Sequence, residues 1–189
     1  MRNFLFKILY PVLKLIGKIH MPFSHKLITG ENYLTLKRMV KPGGIFLTRT
    51  RGELTNVLIP GFWKHAALVI DSEYVIEAIG KGVTVKTLAA FLLSKDFVVY
   101  LEPKFTDKNG MESAAKKALA WLDLPYDYEF SEGDSAFYCG ELAIDAYAQT
   151  SDRGPESFHG LKLIGETFYC PDRIYDSVDL WARVWDNLP

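Results

Sequence analysis

The sequence predicts an α+β domain, with an antiparallel sheet packed against helices. Three observations carry this expectation. Strand-like runs crowd the middle of the chain, at 65–70, 74–79 and 97–101. The first two flank Asp71-Ser72-Glu73, so they read as a hairpin and pair antiparallel. Two clearly helical stretches, 111–122 and 139–149, supply the layer that covers the sheet.

The composition agrees with a globular fold. A chain of 189 residues suits one domain. At that length roughly 70% of the unfolded surface becomes buried, enough for a core without staples. Apolar residues at 49% and charged residues at 24% exclude a disordered or low-complexity scaffold. A net charge of -1 excludes a strongly basic nucleic-acid footprint, so no nucleic-acid partner is expected. Two cysteines form no disulfide framework, and no structural zinc site without His or carboxylate help. The aromatic share of 14% suits a dense core.

The elements follow in order. Residues 1–20, MRNFLFKILYPVLKLIGKIH, look at first like a signal peptide. Lysines at 7, 14 and 18 interrupt the run, and no A-x-A-like cleavage site follows. The uncharged run from Ile8 to Leu13 falls far short of the ~20 residues that span a bilayer. Lys7, Pro11, Lys14 and Lys18 instead form a narrow stripe on an amphipathic helix with a wide apolar face, which Pro11 kinks or splits. Such a helix docks on the domain, on a second copy, or on an anionic membrane. The expected organisation is therefore a helical segment over 1–30 and a folded domain over 31–189.

Residues 31–40 read as a short helix, Lys41-Pro42-Gly43-Gly44 as a turn and Ile45–Thr48 as a strand. A loop over 49–61 leads to the hairpin. Val83–Val85 is a short strand, Leu88–Ser94 a short helix and Phe97–Leu101 a strand. Met111–Leu122 is a helix with Glu112 and Lys116 as an i,i+4 pair. Pro125-Tyr126-Asp127 breaks the chain. Cys139–Gln149 is the second helix, with Asp134 and Ser135 as capping candidates. Leu161–Ile164 is a short strand, 171–177 is turn-like, and an aromatic tail closes the chain.

Three residues carry the chemistry. Cys139 sits at a predicted helix start, where free N–H groups and the dipole favour a thiolate and can hold an oxyanion. Gly140 after it allows close approach to the backbone. Glu141 suits the dipole but opposes a thiolate. Position alone fits a buried inert cysteine as well as a nucleophile. His65 opens a strand and is followed by the small Ala66 and Ala67, which leave room above the sheet. Glu77 interrupts an apolar strand, and a carboxylate there needs a partner. A three-residue turn puts His65 and Glu77 on one face as diagonal neighbours; a two-residue turn separates them. Cys139, His65 and Glu77 then read as nucleophile, base and orienter. Their spacing matches no zinc signature, so neither metal nor cofactor is expected.

The stretch K-P-G-G-I-F-L-T-R, then H-A-A-L-V-I-D, Y-V-I-E-A-I-G-K-G-V-T-V, L-P-Y-D-Y-E-F and F-Y-C-G-E-L resembles the permuted papain-like amidases of the YiiX/YaeF-like group. These are relatives of NlpC-type cell-wall peptidases and of lecithin:retinol acyltransferase. The resemblance runs from about residue 40 to 175 and takes in Pro171-Asp172. It implies a circularly permuted papain-like fold and a catalytic set of Cys139, His65 and Glu77. It also matches Tyr126 and Asp127 to that group's Y-D pair, which either lines the cleft near Cys139 or serves a turn and helix-capping role. Tyr138, just before the nucleophile, either orients the loop and lines the site or packs in the core. Two positions depart from the pattern: Gly44 stands where that group has Asp, and Lys64 where it commonly has Ser. Lys64 either favours an anionic substrate or points to solvent. Cys170 reads as structural.

The expected function is a cysteine hydrolase, amidase or esterase, acting through an acyl-enzyme on a small-molecule, peptide or lipid substrate. An acyltransferase with the same residues and a non-catalytic membrane or ligand-binding module are the alternatives. The 1–20 segment suggests peripheral membrane contact, and a cytoplasmic or inner-membrane-associated location is expected.

Overall fold

The computed structural model describes residues 27–52, 59, 61–130, 135–152, 154, 157, 158, 160–163 and 166–188. The amphipathic stretch 1–20, most of the 1–30 segment and the capping candidate Asp134 lie outside these residues.

Helix α1, Gly30–Met39, starts at Thr29, whose hydroxyl accepts the Asn32 N–H while the Asn32 side chain accepts the Thr29 N–H. The following turn presses Gly43 into the left-handed region at φ 85°, where a Cβ would strike the Met111 backbone. A side chain at Gly44 would strike the Tyr100 ring. An aspartate there is thus excluded, and other groups hold the turn. The Tyr100 hydroxyl accepts the Lys41 N–H at 2.8 Å, and the Tyr147 hydroxyl donates to the Gly43 carbonyl at 2.5 Å.

The strands are β1 Ile45–Arg49, β2 His65–Val69, β3 Tyr74–Ile79, β4 Gly82–Thr87, β5 Phe97–Pro103 and β8 Trp181–Asp186. They form one antiparallel sheet in the order β4-β3-β2-β1-β5-β8. The sequence reading missed β8. It is an edge strand with one buried, two half-buried and three exposed residues, and its burial does not alternate. A second small hairpin pairs β6, Leu161–Leu163, with β7, Glu166–Phe168, where one strand was expected. The turn-like 171–177 is helix α5, Pro171–Asp176, with proline at its first position.

Alternation splits the core between the two sheet faces. Phe46, Ala67, Val69, Val75 and Tyr100 pack with α1 and with α2, Leu88–Leu92. Ile45, Ala66, Leu68, Ile76 and Ala78 pack with α3, Lys108–Leu119, and α4, Cys139–Ala148. Helix α3 begins three residues earlier than expected, because the Asp107 side chain caps it by accepting the Gly110 N–H. The ion pair on this helix joins Glu112 to Lys108 at 3.5 Å, one turn before the expected Lys116.

Candidate active site

The turn after β2 sets the geometry. Asp71 Oδ1 accepts the N–H groups of Glu73 and Tyr74, a local bond that favours a three-residue connection. The resulting register pairs Leu68 with Ile76 and Val69 with Val75. Continued one step, it sets Glu77 opposite Ala67 and diagonal to His65 on one face. His65 Nε2 and Glu77 Oε2 are 2.7 Å apart.

The β2–β3 ladder stops at Leu68 and Ile76. Its neighbours run on, β1–β2 to His65 and β3–β4 to Ile79. The sheet therefore splits between β2 and β3 at the end that carries His65. The N–H of Ile70 bonds Tyr74 across the turn, so the N–H groups of alternate residues, Ala66 included, point toward β3. With the ladder gone, the Ala66 N–H goes to the Cys139 sulfur instead.

Cys139 is the first residue of α4, and Tyr138 is the N-cap in an extended conformation. The expected cap Ser135 lies outside the helix; the Glu141 side chain closes this end by accepting the Tyr138 N–H at 3.3 Å. Cys139 is buried and not disulfide-bonded. Burial pushes its thiol up. The His65 hydrogen bond and charge, and the N–H groups of Ala66 and Gly140, more than offset this and hold it below the usual 9.0. Burial pushes His65 down, but hydrogen bonds to Cys139 and Glu77 lift it to about 9 from 6.5. Burial pushes Glu77 up, and its bond to His65 and the nearby Lys86 bring it down to about 2. These shifts all favour a thiolate–imidazolium pair beside an ionised Glu77.

The other sequence-predicted residues divide. Tyr126 comes to the site: it bridges to Phe137, and burial followed by the Cys139 charge holds its hydroxyl protonated. Asp127 does not; it is buried and its Oδ1 accepts the Glu129 N–H at 2.7 Å. Tyr138 is in the core, and its hydroxyl accepts the Tyr169 N–H at 2.9 Å. Gly140 leaves no room for a substrate on its Cα, because the Tyr169 carbonyl fills that space. Its N–H still serves the sulfur. Lys64 is neither in the cleft nor in solvent; it is buried and its Nζ donates to the Ile59 carbonyl. Burial and the Arg49 charge lower its pKa.

Two features escaped the sequence reading. Lys86 Nζ stands 2.7 Å from Glu77 Oε1, an ion contact out of hydrogen-bond alignment. Ile79 pairs with Gly82 across Gly80-Lys81, so the same register arithmetic applied to β3–β4 would have put Lys86 diagonal to Glu77. The second feature is a strap. Tyr169 is bonded to Tyr138 at the nucleophile's end, and Asp172 Oδ1 accepts the Trp63 N–H at 2.9 Å just before His65. Gly61, at φ 88°, packs against the same carboxylate. Residues 169–172 thus tie the start of α4 to the start of β2.

The family model of permuted papain-like amidases, YaeF/YiiX, C92 family, matches residues 39–172. The chain belongs to this family. It is a cysteine amidase/peptidase-like enzyme of α+β fold. The solved structure of the metalloprotein yiiX from Escherichia coli O157:H7 aligns at a TM-score of 0.66 with 19% identity. The alignment covers 79% of this chain and 98% of that chain. No curated protein matches the chain. Among the described residues no group of three His, Cys, Asp or Glu side chains is placed to hold an ion. In this C92 family member His65 is hydrogen-bonded both to Glu77, 2.7 Å from its Nε2, and to Cys139. Among the described residues, too, no helix is long and apolar enough to cross a membrane.

Proposed function

We propose that the enzyme cleaves an amide or ester through an acyl-enzyme on Cys139. The observation that carries the reading is the His65 imidazole, held 2.7 Å from Glu77 and hydrogen-bonded on its other side to Cys139 at a helix N-terminus. The thiolate attacks the substrate carbonyl. Backbone N–H groups at the head of α4 stabilise the oxyanion, with the protonated Tyr126 hydroxyl as a further donor. His65 passes its proton to the leaving amine or alkoxide, then takes one from water to release the acid. Glu77 keeps the imidazole oriented throughout.

Candidate substrates are cell-wall-type peptides, N-acyl amino acids and lipid acyl groups. The apolar, lysine-striped segment 1–20 supports a membrane-proximal or lipidic one. The test is the pH dependence of Cys139 alkylation in a Cys170→Ser background, with and without His65→Ala. An apparent thiol pKa well below the free value of ~8.5, lost in His65→Ala, is the expected result. An ordinary or inert thiol in both proteins overturns the assignment.

A further inference from the structure

Glu77 meets charged and titratable groups on every side. His65 faces it from β2 and Lys86 from β4, both at 2.7 Å. Lys95, after α2, adds its charge from farther off. Beyond His65 lie Cys139 on α4 and, past it, Tyr126. Taken contact by contact, four groups alternate in sign: thiolate, imidazolium, carboxylate, ammonium. The carboxylate is 1% exposed, whereas the Lys86 side chain is 36% exposed. Glu77 is thus shut off from water, and Lys86 is the contact on the oxygen that His65 does not use.

We infer that Lys86 is a positioning residue that sets the acidity of His65 by sharing the Glu77 carboxylate. This rests on the catalytic reading of Cys139, His65 and Glu77. A buried carboxylate with no second cation gives its whole charge to the imidazolium. The imidazolium then holds its proton too tightly to protonate a leaving group well. Lys86 takes part of that charge and keeps Glu77 ionised without another partner for Oε1. It touches neither the thiol nor the imidazole, so its influence on them passes through Glu77.

Alkylation of Cys139 by iodoacetate against pH, in the Cys170→Ser background, tests this. Thiolate formation gives the acid limb. Loss of the imidazolium that attracts the anionic reagent gives the basic limb. Lys86→Met should move the basic limb up by roughly half a pH unit to one unit, as expected for one nearby charge in a partly buried site. Lys86→Arg should restore it. In a Glu77→Gln background Lys86→Met should leave the basic limb where Glu77→Gln alone puts it. Lys95→Met, which removes a charge without the direct contact, should shift it less than Lys86→Met. The inference is overturned by a basic limb unchanged or lowered in Lys86→Met, or by an equal upward shift with Gln at position 77. A Lys95→Met shift as large as that of Lys86→Met also overturns it, because the effect is then general field and not a shared carboxylate. The catalytic reading fails separately, through an ordinary Cys139 titration in the Cys170→Ser parent.

Discussion

Replacing Glu77 with Gln isolates the charge from the shape. The amide keeps a carbonyl oxygen for His65 Nε2–H and nearly the same volume. His65 stands at about 9 against an ordinary 6.5 although burial opposes its charged form. That lift amounts to roughly 3 kcal/mol at 1.36 kcal/mol per pH unit, shared between Cys139 and Glu77. A hydrogen bond to a charged group contributes about 1.5–3 kcal/mol and a neutral one about 0.5–1.5. The difference, about 1–1.5 kcal/mol, corresponds to about one pH unit. The sign follows directly: a negative neighbour raises the imidazolium pKa, so removing it lowers that pKa. The basic limb of iodoacetate alkylation should therefore fall from about 9 to about 8. Glu77 itself, at about 2, stays ionised across the accessible range and adds no limb of its own. The scan is run in the Cys170→Ser background, with thermal unfolding recorded to confirm that the variant is native. A basic limb that remains near 9, or rises, in folded Glu77→Gln refutes the claim that the carboxylate charge holds the imidazolium.

Three further outcomes follow from the strap and the N-terminal segment. Gly140→Ala puts a methyl 1.7 Å from the Tyr169 carbonyl. It should cost about 1–3 kcal/mol in urea unfolding, the usual price of overpacking, and raise the Cys139 alkylation pKa as α4 shifts. A variant as stable as the parent would show that the contact yields freely. Asp172→Ala removes the acceptor of the Trp63 N–H and should cost about 1–3 kcal/mol while slowing Cys139 alkylation near neutral pH. Equal alkylation rates in the two proteins would disconnect the strap from the site. Deleting residues 1–20 should abolish flotation with anionic liposomes and leave the thermal transition of the domain in place. Unchanged flotation removes the membrane reading.

The hairpin was legible in the sequence because two local signals agreed. Asp71 favours a turn that bonds its own side chain, and an odd connection puts His65 and the lone carboxylate of β3 on one face. Register then did the rest, since a slip of one residue would have buried neither group usefully. Cys139 at a helix start was likewise local information. What escaped depended on contacts remote in sequence. Trp181–Asp186 gives no alternating signal, because an edge strand covered only in part selects its side chains weakly. Tyr138 reads from its place beside Cys139 as lining the site or packing in the core, and the structure has it in the core with its hydroxyl used by Tyr169. Gly140 looked like room for a substrate, and the room is taken by the chain itself. Lys64 reads either as favouring an anionic substrate or as pointing to solvent, and in the structure its ammonium turns back to the Ile59 carbonyl.

Those three placements have one physical cause. His65 lies on a strand near the start of the domain and Cys139 on a helix more than seventy residues later. Neither element's own hydrogen bonding fixes the other. The split between β2 and β3 gives the sulfur a place to enter, through the unpaired Ala66 N–H. A split sheet is also a loosened one, and something must keep it from closing or opening further. Residues 169–172 span this point: Tyr169 grips the Tyr138–Gly140 end of α4, and Asp172 grips the backbone at Trp63. Side chains near the nucleophile are consequently spent on holding the two halves in register, which leaves few of them to face a substrate. Tyr126, carried on the segment that bridges to Phe137, is the sequence-predicted binding residue that remains at the site. Under the proposed mechanism Tyr126 is the residue left to meet a substrate, while Ala66 and Gly140 beside Cys139 favour the thiolate through their N–H groups.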